Sequence, residues 1–268
     1  MLKMGIVITV TSGKGGVGKT TTSANIGAAL AKKGYSVVLI DADIGLRNLD
    51  VVLGLENRIV FDLVDVVEGE CRLNSALIRD KRYEGLYLLP AAQTREKDAV
   101  NEEQMKELTT LLAEDHDFVI IDCPAGIEQG FKNALSGADQ VLIITTPEVS
   151  AVRDADRVIG LVESRGINNI GLIVNRLRPE MVERGDMLSV EDICDILAIK
   201  LVGVIPEDDN IVISTNKGEP VIGTEDAKAG QALINLTDRV LGEDIPYIDL
   251  KDKPKGFLAT LRSIFAQG

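Results

Sequence analysis

The chain has 268 residues, of which 45% are hydrophobic, so it can bury the core of a large α/β domain. Acidic residues outnumber basic ones by 42 to 29, and the net charge of −13 argues against a general affinity for nucleic acid phosphates. The three cysteines, Cys71, Cys123 and Cys194, lie far apart without a C-x-x-C pair, which favours buried thiols in a reducing cytoplasm over a disulfide framework or a metal site.

Short apolar, β-branched runs alternate with helical patterns along the chain. This order predicts a doubly wound, mostly parallel sheet with helices on both faces and a ligand at the carboxyl ends of the strands. We expect that domain over residues 1–245, followed by a linker rich in charge and proline (246–255) and a short C-terminal amphipathic helix (256–268). The predicted strands are residues 6–10, 36–40, 86–89, 118–121, 140–144, 171–174 and 201–205, and the clearer predicted helices are residues 19–33, 101–113, 150–164, 189–198 and 225–241.

A glycine-rich loop, G-K-G-G-V-G-K-T at residues 13–20, follows the first predicted strand and precedes the first helix. The pattern G-x-x-x-x-G-K-T predicts a phosphate cradle, because glycines let successive backbone N–H groups point at phosphate oxygens and the next helix adds its positive N-terminus. Lys19 would neutralise the β- and γ-phosphates, Thr20 would offer a hydroxyl to Mg²⁺, and Thr21 would reach the α-phosphate. The predicted cradle consists of Gly15, Gly16, Val17, Gly18, Lys19, Thr20 and Thr21.

The same glycines also fit the G-x-G-x-x-G pattern of dinucleotide-binding folds, and Asp41 lies where the acidic residue of such a site is expected. A dinucleotide site requires neither Lys19 nor Thr20. A second acidic strand end, Asp122, suits a nucleotide that carries a metal ion. We therefore favour a nucleoside triphosphate over NAD.

Acidic residues follow two predicted strands beside this loop: Asp41 and Asp43 after one strand, and Asp122 after another. A carboxylate at such a strand end can hold Mg²⁺ or its waters, and a second one can orient a water for in-line attack on the γ-phosphorus. A lone aspartate there would equally cap a helix or form a turn. Residues 122–126, D-C-P-A-G, are a candidate loop for sensing the γ-phosphate, with a plain β-to-α connection as the alternative.

The predicted C-terminal helix has an apolar stripe on one face and polar residues off it. Residues 251–268 hold four basic residues and one acidic residue, so this tail is basic on an acidic protein. The pattern predicts reversible binding to anionic lipid, and packing of the stripe onto the domain is the alternative. The stripe consists of Phe257, Leu258, Leu261, Ile264 and Phe265.

One further lysine, Lys14, stands early in the phosphate loop. The sequence K-G-G-V-G-K-T at residues 14–20 resembles the deviant Walker A motif of the ParA/MinD family of P-loop ATPases, whose fold is a P-loop NTPase sheet. Other segments resemble the members of that family that determine the site of the division septum, and the likeness runs nearly end to end. These segments are residues 41–50, 147–150, 153–157 and 256–258.

The resemblance implies roles for the residues near the expected phosphates. Lys14 would reach across an ATP-dependent homodimer to the phosphates of the partner copy. Asp43 would position the attacking water, with Asp41 and Asp122 near the waters of Mg²⁺. Lys14, Lys19 and Asp43 are thus the implied catalytic residues, and ATP and Mg²⁺ are the implied ligands.

The resemblance also implies sites farther from the phosphates. Asn175, Pro206 and Glu207 match positions that hold adenine, although from the residues alone Asn175 is equally a turn former and Glu207 a charge before a helix. A helix that carries Arg153, Asp154 and Arg157 would face a MinC-like inhibitor and a MinE-like activator. As plain chemistry the same residues are a solvated charged face.

The function implied by the resemblance is that of an ATPase switch on the inner face of the cell membrane. It would place the division septum by recruiting a division inhibitor to the membrane, and stimulated hydrolysis would release it into the cytoplasm. The alternatives are a flagellar-number ATPase, a chromosome- or plasmid-partitioning ATPase, an iron–sulfur carrier ATPase, and a membrane scaffold that binds ATP without turnover. The spacing of the cysteines and the acidic charge disfavour the iron–sulfur carrier and the partitioning ATPase, respectively.

Overall fold

The computed structural model describes residues 4–96 and 98–248, so the predicted C-terminal helix and the linker beyond residue 248 lie outside the described residues. The strands are β1 (Ile6–Thr11), β2 (Val37–Asp41), β3 (Ile78–Arg79), β4 (Leu86–Leu89), β5 (Phe118–Asp122), β6 (Gln140–Thr145), β7 (Ile170–Leu177) and β8 (Lys200–Pro206). The helices are α1 (Lys19–Lys32), α2 (Leu49–Val52), α3 (Leu63–Val67), α4 (Leu73–Ala76), α5 (Glu102–Asp115), α6 (Gln129–Leu135), α7 (Val149–Glu163), α8 (Pro179–Glu183), α9 (Val190–Leu197), α10 (Asp209–Asn216) and α11 (Lys228–Val240).

Over these residues the strands form one sheet in the order β3-β4-β2-β5-β1-β6-β7-β8. All neighbouring pairs are parallel except β3 with β4, which pair antiparallel at the edge. The predicted doubly wound, mostly parallel sheet is confirmed. Because β5 and β6 flank β1 on opposite sides, the chain changes direction across the sheet at β1, and the loop after β1 lies where such folds bind ligands.

The core lies on both faces of the sheet, since successive side chains of a strand point to opposite sides. Val119 and Ile121 of β5 belong to a cluster with residues of α5, α6, α7 and α9. Phe118 and Ile120 of the same strand belong to a second cluster with residues of α1 and α11. Burial on both faces explains why the strands read as continuous apolar runs in the sequence.

Two of the predicted helices, α5 and α9, begin where their capping residues indicate. Asn101 caps α5 and forms a reciprocal pair of hydrogen bonds with Gln104, and Ser189 caps α9 in the same way with Asp192. The sequence analysis did not predict α2, α3, α4, α6, α8 and α10, which have four to eight residues each. Segments this short show little helical period by themselves, and α9, also of eight residues, was predicted because Ser189 marks its start.

The Arg82 side chain pairs with a buried carboxylate and joins two distant parts of the molecule. The Asp80 carboxylate is almost fully buried, and its Oδ2 lies 2.8 Å from Nη2 of Arg82. The Arg82 guanidinium also donates to the carbonyl oxygens of Leu53, after α2, and of Gly218, after α10, the second at 2.6 Å. Gly54 and Gly218 have left-handed backbones, and a Cβ on Gly218 would lie 2.6 Å from the Cα of Gly54. The ends of α2 and α10 are therefore packed backbone to backbone and held by one side chain.

We predict that Arg82→Met lowers the free energy of unfolding by about 2–4 kcal/mol, because it leaves a buried carboxylate without its cation. Solvent screens part of the pair at Arg82, which keeps the loss below that of a fully buried pair. Urea denaturation measures the change. The matched control is Arg79→Met, whose ion pair with Glu84 is exposed, and it should stay within about 0.5 kcal/mol of the parent. Equal losses in the two variants would contradict this account of Arg82.

Candidate functional site

The phosphate loop spans residues 12–18, between β1 and α1. Gly16 and Gly18 have φ of 75° and 103°, a region that glycine adopts without strain. Gly18 is the residue that precedes α1, and no side chain caps that helix end. The first N–H groups of α1 are therefore available to an anion, as the sequence pattern predicts.

Asn175 braces this loop from the end of β7. Its buried carboxamide Nδ2 donates to the carbonyl oxygen of Val17 at 2.7 Å, and its Oδ1 accepts from the N–H of Arg176 at 2.9 Å. A Cβ on Gly18 would collide with this Nδ2, so glycine is required there for space as well as for conformation. Arg176 has a φ of 59°, which is uncommon for a residue with a side chain and places local strain beside the loop. In the structure Asn175 supports the phosphate loop. Its contact with adenine stays a prediction.

Two of the three predicted metal ligands, Thr20 of α1 and Asp122 of β5, are brought together. The Thr20 hydroxyl lies near the Asp122 carboxylate and favours its ionised form, which lowers the pKa of Asp122 against the effect of burial. Ser23, one turn further along α1, donates to Asp122 Oδ1 at 3.1 Å. Sequence reasoning missed Ser23, although its spacing of three residues from Thr20 places both side chains on one face of the helix. The positive charge of the buried Lys19 also acts on Asp122.

Asp41 has a structural task at the end of β2. Its carboxylate is fully buried and accepts the backbone N–H groups of Asp43, Asn48 and Leu49, each at 3.0 Å. These bonds shape the loop after β2 and hold the start of α2. Asp41 therefore does what a lone aspartate at a strand end was expected to do, which is to cap a helix and shape a turn. A contact of Asp41 with the waters of Mg²⁺ stays a prediction.

Asp41 and Asp122 are partners in the register of β2 and β5. Burial raises the pKa of Asp41 to about 6, against the opposing effect of its three N–H donors. Burial, together with the nearby charge of Asp41, raises the pKa of Asp122 to about 7. Removal of both carboxylates from water is costly unless a cation compensates them, which fits a site for Mg²⁺ beside a phosphate cradle.

No group of three or more His, Cys, Asp or Glu side chains among residues 4–96 and 98–248 is arranged to hold a metal ion. Mg²⁺ commonly takes one or two carboxylates, with waters and substrate phosphates as its other ligands, and the carboxylates and hydroxyl present here fit such a site.

Cys123 is buried, and burial raises the pKa of its thiol to about 12, so it stays protonated and is a poor metal ligand.

Asp43 faces the loop after β5. A small cavity of about 20 Å³ lies between them, with Asp43, Pro124, Ala125 and Glu128 among its lining residues. A volume of that size accommodates about one water molecule. The structure thus places the predicted water-positioning aspartate opposite the loop predicted to sense the γ-phosphate.

Lys14 lies at the exposed rim of the loop, where its Nζ is 3.1 Å from Oε2 of Glu148. Glu148 also lines a cleft of about 610 Å³ between the ends of β6, β7 and β8. Arg176 and Glu207 line the same cleft, and Pro206 ends β8 beside it. Of the three predicted adenine residues, Glu207 lines this cleft, together with Glu148, the partner of Lys14.

The three predicted partner residues lie on α7. Arg153 and Arg157 are exposed, and Asp154 is half-buried because its main chain packs against Gly13 of the phosphate loop.

Thr21, the residue predicted to reach the α-phosphate, lies in the first turn of α1. Its carbonyl oxygen accepts from the Asn25 carboxamide at 2.7 Å.

Residues 8–221 match the family described as the CobQ/CobB/MinD/ParA nucleotide binding domain. The septum site-determining protein MinD of Synechocystis is 60% identical over 247 residues, which cover 92% of this chain and 93% of that protein. The chain therefore belongs to the MinD family of septum site-determining proteins.

Solved structures agree with this assignment. The MinC:MinD cell division protein complex of Aquifex aeolicus contains a chain that is 52% identical, with a TM-score of 0.85 over 91% of this chain and 99% of that one. The septum site-determining protein MinD of Pyrococcus horikoshii, solved as a complex with Mg-ADP, is 32% identical, with a TM-score of 0.80 over 88% of this chain and 96% of that one.

The two buried carboxylates predict how stability depends on pH without nucleotide. The unfolded carboxyl has a pKa near 3.8 and the folded Asp122 one of about 7, so the unfolded state releases its proton first as pH rises. The free energy of unfolding should therefore fall between about pH 4 and pH 7. Asp122→Asn should remove much of this fall and raise stability at pH 8 by on the order of 2–4 kcal/mol.

Urea denaturation in EDTA at several pH values measures this effect. Asp156→Asn, at an exposed position of α7, is the matched control and should follow the parent curve. If the stability of the parent and of the Asp122 variant changed equally from pH 4 to pH 7, burial of the ionised Asp122 carboxylate would not cost the free energy inferred here.

Proposed function

We propose that this chain is an ATP-dependent, dimerising ATPase switch that associates with the membrane and places the division septum. In this proposal it recruits a MinC-like inhibitor to the membrane and leaves when a MinE-like activator stimulates hydrolysis. The observation that carries the proposal is the juxtaposition of three features: an uncapped α1 behind the phosphate loop, the Thr20–Asp122 pair, and Lys14 at the exposed rim.

ATP would bind with its phosphates on the loop and its base toward Asn175, Pro206 and Glu207. Thr20 would hold Mg²⁺ directly, and Asp41 and Asp122 would hold it through waters. The ion, when bound, would neutralise charge on the β- and γ-phosphates. Lys19, buried behind the loop, would add a second positive charge that water does not screen.

Asp43 would orient the water that attacks the γ-phosphorus. Asp43 follows β2, and its charge acts on Cys123 in the loop after β5, which supports a place close to Asp122. The loop at residues 122–126 would respond to the γ-phosphate.

Lys14 would join the two copies of the dimer through the phosphates of the partner's ATP. Its ion pair with Glu148 is exposed on both sides, and such pairs contribute roughly 0–1 kcal/mol. A contact that weak does not prevent Lys14 from leaving for a polyphosphate. Bound nucleotide would thus act as part of the dimer interface.

Membrane attachment would depend on the predicted tail. No helix in the described part of the chain is long and apolar enough to cross a bilayer. Before the tail begins, Arg239 holds the carbonyl oxygens of Ile245 and Pro246 at 2.8 and 2.9 Å, and the Tyr247 hydroxyl donates to the Leu201 carbonyl oxygen at 3.0 Å. The described part of the chain therefore ends beside the edge strand β8. Two tails joined in a dimer would bind lipid more tightly than one by roughly 10²- to 10⁴-fold.

We predict that Lys14→Ala stays monomeric with ATP, because it removes the cation that reaches the partner's phosphates. Light scattering with ATP and with ADP measures the oligomeric state. Lys32→Ala removes an equal charge from an exposed site at the end of α1 and should dimerise as the parent does. Asp43→Asn should also dimerise while its phosphate release falls by orders of magnitude. Dimers of Lys14→Ala that match those of the parent would refute the role of Lys14.

We predict that the full chain sediments with vesicles containing phosphatidylglycerol in ATP and much less in ADP, because only the dimer presents two tails. Phe257→Glu with Ile264→Glu should abolish sedimentation without loss of dimerisation, since the charges fall on the apolar stripe. Thr260→Glu with Gln267→Glu adds the same charge off the stripe and should sediment more than the stripe variant. Equal sedimentation of the parent protein in ADP and ATP would contradict a nucleotide-controlled switch.

A further inference from the structure

The Arg82 guanidinium donates hydrogen bonds to three separate segments of the chain. Its Nε and Nη2 lie 3.3 and 2.8 Å from the two carboxylate oxygens of Asp80, which is almost fully buried. Its Nη1 donates to the carbonyl oxygen of Gly218 at 2.6 Å, and Nη2 also donates to that of Leu53. Asp80 thereby orients a rigid, planar group that holds the two carbonyl oxygens relative to each other. We call this arrangement the Arg82 clamp.

One clamped segment leads to the metal side of the candidate site, where the two buried aspartates lie. α2 has only four residues, and Leu53 follows directly after it. At the other end of α2, the Asp41 carboxylate accepts the N–H groups of Asn48 and Leu49, both at 3.0 Å. Asp41 and the clamp therefore hold opposite ends of about one helical turn, so the position of the clamp constrains the metal side.

The other clamped segment leads to the base side of the site, where adenine is predicted to lie. Gly218 follows shortly after α10, and Asp208 caps the start of that helix by accepting a backbone N–H of its first turn at 2.9 Å. The second oxygen of Asp208 accepts the N–H of Ala229, in the first turn of α11, at 3.0 Å. Asp208 directly follows Pro206 and Glu207, two of the predicted adenine residues. A shift of α10 therefore shifts the base side.

The two clamped segments are in direct backbone contact. Gly54 and Gly218 both have left-handed backbones, and a Cβ on Gly218 would lie 2.6 Å from the Cα of Gly54. A further contact reaches the same region from α1, where Oδ1 of the buried Asn25 accepts the N–H of Ile222 at 3.1 Å. Loss of the clamp should thus loosen α10 without releasing it from the domain.

We propose that Arg82 is a positioning residue for nucleotide, which sets the spacing between the metal side and the base side of the site. This role rests on the proposed function in one respect, because the base must lie toward Pro206 and Glu207. A ligand that occupies both sides gains affinity from a fixed spacing, since fewer groups have to be ordered when it binds. A ligand that occupies only the phosphate loop does not. Arg82 therefore controls how tightly the adenosine part of the nucleotide is held.

Binding of MgADP and of magnesium pyrophosphate to the full chain tests this role, because the two ligands differ in the adenosine group. Both affinities are measured by displacement of a fluorescent ADP analogue, and light scattering verifies that the protein is monomeric. Arg82→Met should weaken binding of MgADP by roughly fivefold or more, within the range of typical coupling energies, and leave that of pyrophosphate within about twofold. Arg79→Met, which breaks the exposed pair with Glu84, should change neither affinity.

A second pair of variants disturbs the spacing without removing a charge. Gly218→Ala should cause the same selective loss, because its Cβ presses on Gly54 while Arg82 is retained. Gly166→Ala is the matched control: its φ of 79° is also left-handed, but its Cβ would meet nothing within 4 Å, so both affinities should stay as in the parent. Circular dichroism verifies that the variants are folded. A smaller folded fraction would weaken both ligands by the same factor, so the ratio of the two affinities is not sensitive to it.

The outcomes separate this role from the proposed function. Equal losses for MgADP and pyrophosphate in the Arg82 and Gly218 variants, or no loss for either ligand, would overturn the positioning role and leave the proposed function intact. A parent protein that binds pyrophosphate as tightly as MgADP would overturn both the proposed base contact and the role of Arg82, because adenosine would then contribute nothing to affinity.

Discussion

The site depends on two carboxylates that meet in register at the ends of adjacent parallel strands. Asp41 and Asp122 lie at the ends of β2 and β5, and both are removed from water. Burial of this pair is unfavourable by itself, as their raised pKa values indicate. The fold tolerates them because Asp41 accepts three backbone N–H groups, and Asp122 accepts the Ser23 hydroxyl and lies near the positive charge of Lys19. A site kept in this state is stabilised by any cation that enters it, which favours a nucleotide that brings Mg²⁺.

The phosphate loop is held from two sides by elements that are remote in sequence. Asn175 reaches it from β7, and α7 packs against Gly13. Both elements follow β6 along the chain, on the side of β1 opposite to β5 and β2 with their aspartates. A change in the loop therefore has routes to both halves of the sheet. This arrangement suits a switch, in which one ligand must alter several surfaces at once.

The sequence predicted most of what depends on local pattern. The seven predicted strands and the long helices follow from apolar runs, helical periods and caps such as Asn101 and Ser189. The phosphate loop followed from the order of glycine, lysine and threonine. Contacts between distant segments were beyond this reasoning: nothing local to Asn175 points to Val17, and nothing local to Gly13 points to Asp154. The spacing of Ser23 from Thr20 was a usable signal for its contact with Asp122, but only once the face of α1 toward β5 is known.

Two ion pairs of the molecule, Asp80 with Arg82 and Lys14 with Glu148, differ in how easily they can be broken. Asp80 is buried and Arg82 bonds two backbone carbonyl groups besides it, so loss of that pair leaves a buried charge unpaired and loosens the contact of α2 with α10. Lys14 and Glu148 are both exposed and bound mainly to each other, so water or phosphate can replace either partner at little cost. A large shift between two states requires that the ligand binds one of them far more tightly. Such a difference in affinity is easiest to achieve when the contact that the ligand replaces, here Lys14 with Glu148, is weak and the surrounding fold is held by strong contacts such as those of Arg82.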